Sequence, residues 1–121
     1  MLYAILCYHD ENVVSAWSKA EEDAVLAKRA LVTDKLAAAG RHGPAARLMP
    51  TTAAVTLRMG SEPVVLDGPF AETKEQLLGL YVLDFASLDE AIETVREIGR
   101  GETAKLEIRP LRMFLPGTLP T

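Results

Sequence analysis

One pattern, used twice, limits what this chain can fold into. An apolar run, Leu2 to Tyr8, precedes Ser18-Lys19-Ala20-Glu21, a helical stripe and Gly40, and a second apolar run, Leu77 to Phe85, precedes Ser87-Leu88-Asp89-Glu90, another stripe and Gly99. Each Ser-x-x-Glu has the form of a capping box, in which the Ser hydroxyl accepts from the N3 amide while the Glu carboxylate reaches back to the cap amide. Val25, Val32, Leu36 and Ala39, with Ala24 and Leu31 widening the stripe, mark the first helix; Leu88, Ala91, Ile92, Val95 and Ile98 mark the second.

Weaker strands fill the gaps. Arg41 to Leu48 reads as an edge strand broken by Gly43-Pro44, Ala53 to Met59 as a strand, Gly60-Ser61-Glu62 as a turn, and Pro63 to Leu66 as the returning arm of a hairpin. Lys105 to Leu115 reads as a final strand that bends at Pro110. Two strand-helix-strand units with an inserted hairpin predict an α+β fold of ferredoxin-like, split βαβ type, an antiparallel sheet with both helices on one face.

The strong strands are apolar on both sides. Leu78, Leu80 and Val82 face one way and Leu77, Tyr81, Leu83 and Phe85 the other; Leu2, Ala4 and Leu6 likewise oppose Tyr3, Ile5 and Cys7. Two helices cover one face only, so a second copy is the simplest cover for the other, and a homodimer closing as a dimeric α/β barrel is expected.

Composition narrows the function classes. A chain of 121 residues, 49% hydrophobic and 25% charged, fits one globular domain spanning 1–121. Thirteen Lys plus Arg against seventeen Asp plus Glu, with no basic cluster, argue against nucleic acid as a partner. No run approaches the roughly 20 apolar residues of a membrane helix, and MLYAILCYHDENV lacks the basic start and cleavage site of a signal peptide. A cytoplasmic protein with no membrane partner is the expectation. One cysteine and two histidines make a poor ligand set, so neither metal nor other cofactor is expected.

The segment between the hairpin and the second strong strand is Asp67-Gly68-Pro69-Phe70-Ala71-Glu72-Thr73-Lys74-Glu75-Gln76-Leu77. Together with Ser87-Leu88-Asp89-Glu90-Ala91 and the closing Glu107-Ile108-Arg109-Pro110-Leu111, it resembles the DGPF-type branch of the YCII-related family over nearly the whole chain. The resemblance implies a ferredoxin-like fold assembled as a dimeric α/β barrel, and small enzymes often encoded near extracytoplasmic-function sigma factors. Related YCII proteins are described as using a His-Asp pair, with the His in the first helix, for acid/base chemistry on small aromatic compounds. Here Lys19 to Ala39 contains no histidine.

Candidate site residues carry a structural reading beside each functional one. Asp67 and His42 are the catalytic candidates: His42 is a general base if a carboxylate orients it, or else a solvated loop residue. Asp67 is a reactive carboxylate, or else the acceptor of an Asx-type turn in which Gly68 and Pro69 bend the chain, Phe70 anchors it by burying its ring, and Thr73-x-x-Gln76 caps one helical turn. Gly68, Pro69, Phe70, Lys74 and Tyr81 are the ligand-binding or loop-forming candidates. His9 beside Asp10 reads as a solvated loop, and Cys7 as packing rather than as a nucleophile.

Glu72, Lys74 and Glu75 leave a charge pattern over. Arg47, Arg58 or Arg109 pairs with Glu72, Glu75 or Asp67, or one arginine holds an anion. Three functions fit: a small-molecule enzyme with metal-free acid/base chemistry, a ligand-sensing module, and a structural dimer. A small anionic or aromatic ligand is the partner the first two share.

Overall fold

The computed structural model describes residues 1–120. Strand β1 (Leu2–His9) leads through a short helix α1 (Glu11–Ser15) into the long helix α2 (Lys19–Ala38), followed by β2 (His42–Arg47). A 3-10 turn at Thr51–Ala53 precedes the hairpin β3 (Val55–Arg58) and β4 (Val64–Asp67); β5 (Gln76–Asp84), α3 (Leu88–Ile98) and β6 (Lys105–Pro110) complete the order.

The four long strands lie in the order β2-β5-β1-β6, with β5 antiparallel to both β1 and β2, and β6 antiparallel to β1. In each strand-helix-strand unit the two strands are therefore parallel and separated by a strand of the other unit. This is the interleaving expected of a ferredoxin-like fold. The hairpin forms a separate two-stranded sheet, as its inserted position predicts.

Alternation along β1 places Tyr3, Ile5, Cys7 and His9 on the helix side. Tyr3 and Ile5 pair with Leu83 and Tyr81, and together with Phe85, Leu36 of α2 and Ala91, Val95 and Ile98 of α3 they make the core. Ile5, Leu83, Phe85 and Ile98 are almost wholly enclosed, each contributing about 1.5–3 kcal/mol of burial. Both helices thus sit on one face of the sheet.

Both Ser-x-x-Glu signals start helices, by different means. Ser18 accepts from the Glu21 amide while the Glu21 carboxylate accepts from the Ser18 amide, a complete box. Ser87 accepts from the Glu90 amide, but the Glu90 carboxylate pairs instead with Arg41, whose Nε also donates to the Asp84 carbonyl at 3.0 Å. A charged donor is the stronger partner for a carboxylate, so the second box is half formed.

Other readings are corrected. Leu31 and Ala24 are exposed, because the face of α2 toward the sheet runs through Val25, Arg29, Val32 and Leu36. Asp10, expected in a solvated loop beside His9, instead caps the five-residue helix Glu11–Ser15, its side chain accepting from the Asn12 amide at 2.9 Å. Phe70 does not bury its ring: it is 87% exposed. No helical turn follows Thr73; its hydroxyl donates to the Glu75 carbonyl, while Gln76 Nε2 donates to the Thr73 carbonyl at 2.7 Å.

Candidate functional site

Sheet register explains where the molecule is hollow. Beyond the well-filled rows of Tyr3 with Leu83 and Ile5 with Tyr81, the next row on the helix side is Cys7 opposite Gly79, with Ala45 beside Tyr81 on β2. These side chains are too small to reach the first half of α2. The result is a cavity of about 330 Å³ between α2 and the sheet, within the usual range of about 300–1,000 Å³ for small-molecule sites.

Gly79 is required there by close approach. A Cβ on it would lie 2.7 Å from the carbonyl oxygen of Ala46 on the neighbouring strand, so only glycine lets β2 and β5 pair across the cavity floor. Val14 and Trp17 wall one side, Val25 and Leu26 of α2 another. The α1 segment is held in place from the far side of the chain. The Glu11 amide donates to Gln76 Oε1 at 2.9 Å, and the Glu11 carboxylate accepts from the Thr51 amide at 2.9 Å and from the Thr51 hydroxyl.

Polar groups gather at one end. Arg29 projects from the inner face of α2 and donates through Nε and Nη2 to the two oxygens of Glu102 at 2.9 and 2.6 Å; Lys28 Nζ reaches the same carboxylate at 2.5 Å. The pair is largely enclosed, with the Arg29 and Glu102 side chains 14% and 8% exposed. Burial works against each charge, yet the hydrogen bonds win. Glu102 is held below the usual carboxylate range by Arg29 and Lys28, and Arg29 is raised above its ordinary value by Glu102 and Tyr81.

Cys7 also faces this end. Arg29 Nη1 lies 3.7 Å from its sulfur, but burial outweighs that nearby charge and pushes the thiol up. Its thiolate is therefore scarce at neutral pH, in keeping with a packing role.

His9 is 8% exposed and lines the cavity, contrary to the solvated-loop reading, because β1 runs on to include it and alternation turns it inward with Ile5 and Cys7. Its Nε2 is 2.8 Å from Thr103 Oγ1, its ring meets Trp17 edge-on at 6.0 Å, and its Nδ1 is buried without a hydrogen-bond partner. A buried, unpartnered imidazole nitrogen is costly and calls for a role.

Of the candidates named from sequence, Tyr81 lines this cavity; its hydroxyl accepts from Arg29 Nη1 at 3.4 Å. His42 is half-buried on β2, stacks edge-on against Tyr81 at 6.0 Å, and its Nδ1 donates to the Gly43 carbonyl at 2.6 Å. Asp67 stands at the end of β4 in the hairpin, exposed, with no side-chain hydrogen bond among the described residues. The structure does not bring Asp67 and His42 into contact. The DGPF loop is closed by Gly68 itself, at φ 89°, whose amide donates to the Ala54 carbonyl at 2.7 Å and whose carbonyl accepts from the Thr56 hydroxyl at 2.8 Å.

Pro69 and Phe70 line a second cavity of about 580 Å³ with Met49, Thr73, Gln76 and Leu77, and Lys74 is exposed. Arg47 pairs with Glu22 of α2 at 2.7 Å rather than with a loop carboxylate. Glu75 pairs with Lys105 at 2.6 Å.

Sequence reasoning passed over Arg29, Glu102 and Trp17. Arg29 left a signal: it interrupts the apolar series Val25, Val32, Leu36 at spacings of four and three, and a charge on a buried stripe needs a partner. Glu102 left none, since a carboxylate between Gly101 and Thr103 reads as an ordinary turn.

No group of three or more His, Cys, Asp or Glu side chains is placed to hold a metal ion, and no helix is long and apolar enough to cross a membrane, among the described residues. The family model described as YCII-related domain matches residues 1–115. The chain is also similar to an uncharacterised protein of Rhizobium meliloti (strain 1021), 54% identical over 124 residues that cover 100% of each chain.

Proposed function

The chain belongs to the YCII-related domain family, and we propose that it binds a small organic molecule in the cavity between α2 and the four-stranded sheet. The carrying observation is the cavity itself: about 330 Å³, walled by Val14, Trp17, Val25 and Leu26, with a few polar groups converging at one end. That combination of apolar walls and sparse, fixed polar contacts is the usual composition of a small-molecule site. The DGPF loop supports the cavity indirectly, through Gln76 and α1.

Acid/base catalysis is a second reading, favoured by His9 rather than by Asp67 and His42. An imidazole tethered through one nitrogen to Thr103, with the other unpartnered beside the cavity, can exchange a proton with a bound molecule once its ring is repositioned. Without that step the same cavity serves a ligand sensor. We assign the chain to a homodimer in either case, because an isolated two-stranded hairpin is marginal and this one leaves Val55, Leu57 and Val65 uncovered.

A fragment titration followed by two-dimensional amide NMR tests this reading. Binding fragments move the amides of Cys7, Gly79 and Tyr81 and leave those of the β3–β4 hairpin in place. A diverse fragment set that moves none of the cavity amides at millimolar concentration overturns the proposal. If a bound fragment is also converted, His9→Gln abolishes conversion while retaining binding; a sensor shows binding alone.

A further inference from the structure

The polar end of the cavity has hydrogen-bonding capacity that the fold does not use. Glu102 takes Nε and Nη2 of Arg29 and leaves Nη1, which carries two hydrogens, with a thiol sulfur at 3.7 Å and a phenol oxygen at 3.4 Å. The contact to the phenol oxygen is longer than the usual N–H···O separation of about 2.9 Å, and a thiol sulfur is a weak acceptor. The Tyr81 hydroxyl accepts from Nη1, and its own hydrogen has no acceptor among the described residues. Two donors therefore stand 3.4 Å apart at the cavity end, close enough for one oxygen at about 2.8 Å from each.

Charge points the same way. Lys28 and Arg29 share the single carboxylate of Glu102, which leaves one positive charge in excess, while Arg47 and Glu22 beside the cavity cancel each other. His9 adds no negative charge in either protonation state. Apart from Tyr8, His9 and the mutually paired Glu22 and Arg47, the remaining side-chain lining is apolar, with Val14, Trp17, Val25, Leu26 and Ala104 among it.

The geometry points to a small organic carboxylate as the ligand, its carboxylate held by Arg29 Nη1 and the Tyr81 hydroxyl and its compact apolar body lying against Trp17 and α2. This rests on the cavity reading above and adds the ligand's chemical class. An arginine already fixed by a carboxylate on one edge is well suited to hold a second one on the other. Its position is set before the ligand arrives, so little side-chain freedom is lost on binding. Inorganic phosphate satisfies the donors but leaves the apolar walls uncovered, and a neutral isostere covers the walls but leaves the excess charge unmatched.

Benzoate, benzamide and inorganic phosphate separate these possibilities, measured by calorimetry and amide NMR on the full chain. Benzoate binds at least tenfold more tightly than benzamide or phosphate and moves the Arg29 side-chain Nε–H resonance. Tyr81→Phe, which keeps the ring and its packing, weakens benzoate about tenfold and leaves benzamide within about twofold. Benzamide binding as tightly as benzoate, or a Tyr81→Phe variant with the wild-type preference, overturns the carboxylate inference while the cavity reading stands. Phosphate binding as tightly as benzoate overturns the organic part of it, and no binding by any of the three at millimolar concentration, in a set where other fragments bind, overturns the ligand class outright.

Discussion

Arg29 and Glu102, 73 residues apart, meet in a two-point contact in which Nε and Nη2 of the guanidinium face the two carboxylate oxygens. It joins the inner face of α2 to the loop before β6 and forms the charged end of the cavity. Because both side chains are mostly enclosed, removing one strands the other. Glu102→Gln or Arg29→Met is expected to cost about 3–5 kcal/mol in urea unfolding, whereas Arg29→Met with Glu102→Leu recovers most of the loss. A single substitution that costs under about 1 kcal/mol means the pair is far better solvated than its burial implies.

The same contact sets a pH dependence. Despite its burial, Glu102 is held below the usual carboxylate range by hydrogen bonds from Arg29 and Lys28, so on acidification the unfolded chain takes up this proton before the folded chain does. The stabilisation is complete above the unfolded value of about 4.3 and is lost as pH falls through the lower folded value. The urea midpoint should therefore drop steeply below about pH 4, and less steeply in Glu102→Gln. Glu97 is shifted the same way by its hydrogen bond to Arg100, but that pair is exposed and is screened by salt, so the measurement belongs at about 0.5 M NaCl.

How much of this could be read from sequence depends on the range of the interaction. Ser18 and Ser87 announce their helices because a cap is satisfied within three residues, and the two-faced pattern of Leu77 to Phe85 announces a central strand because alternation is local. The hairpin likewise follows from its turn. The cavity does not. It exists because Cys7 falls opposite Gly79, a consequence of register between strands more than seventy residues apart. For the same reason Asp67 and Phe70, prominent in a distinctive motif, stand away from the cavity, while Gln76 from that motif acts on it through Glu11. Glu90 shows the opposite failure: its local cap is outcompeted by Arg41.

Gly79→Ala tests the floor of the cavity. The added methyl carbon meets the Ala46 carbonyl oxygen at 2.7 Å, a backbone atom that cannot swing aside as a flexible side chain can. A cost of about 1–3 kcal/mol is expected, with amide shifts concentrated in Ala45, Ala46 and Arg47 and weaker binding of any cavity ligand. Wild-type stability together with wild-type binding would show that the edge strand β2 is free to move away, and that the cavity owes its shape to something other than this contact.

Assembly is tested at the hairpin, where Leu57 pairs with Val65 and the two are 52% and 64% exposed. A two-stranded sheet with one such apolar face gains little by itself, and the proposed second copy would cover it. Light scattering is expected to give twice the chain mass at micromolar concentration, with an unfolding temperature that rises with concentration. Leu57→Asp with Val65→Asp should halve the mass and remove that concentration dependence while the amide spectrum of β1, β5 and the helices is retained, since the hairpin contributes nothing to the main core. A wild-type chain that is monomeric under these conditions removes the homodimer. A double variant that remains dimeric moves the contact to the free face of the four-stranded sheet, where Leu80 pairs with Leu6 and Val82 with Ala4.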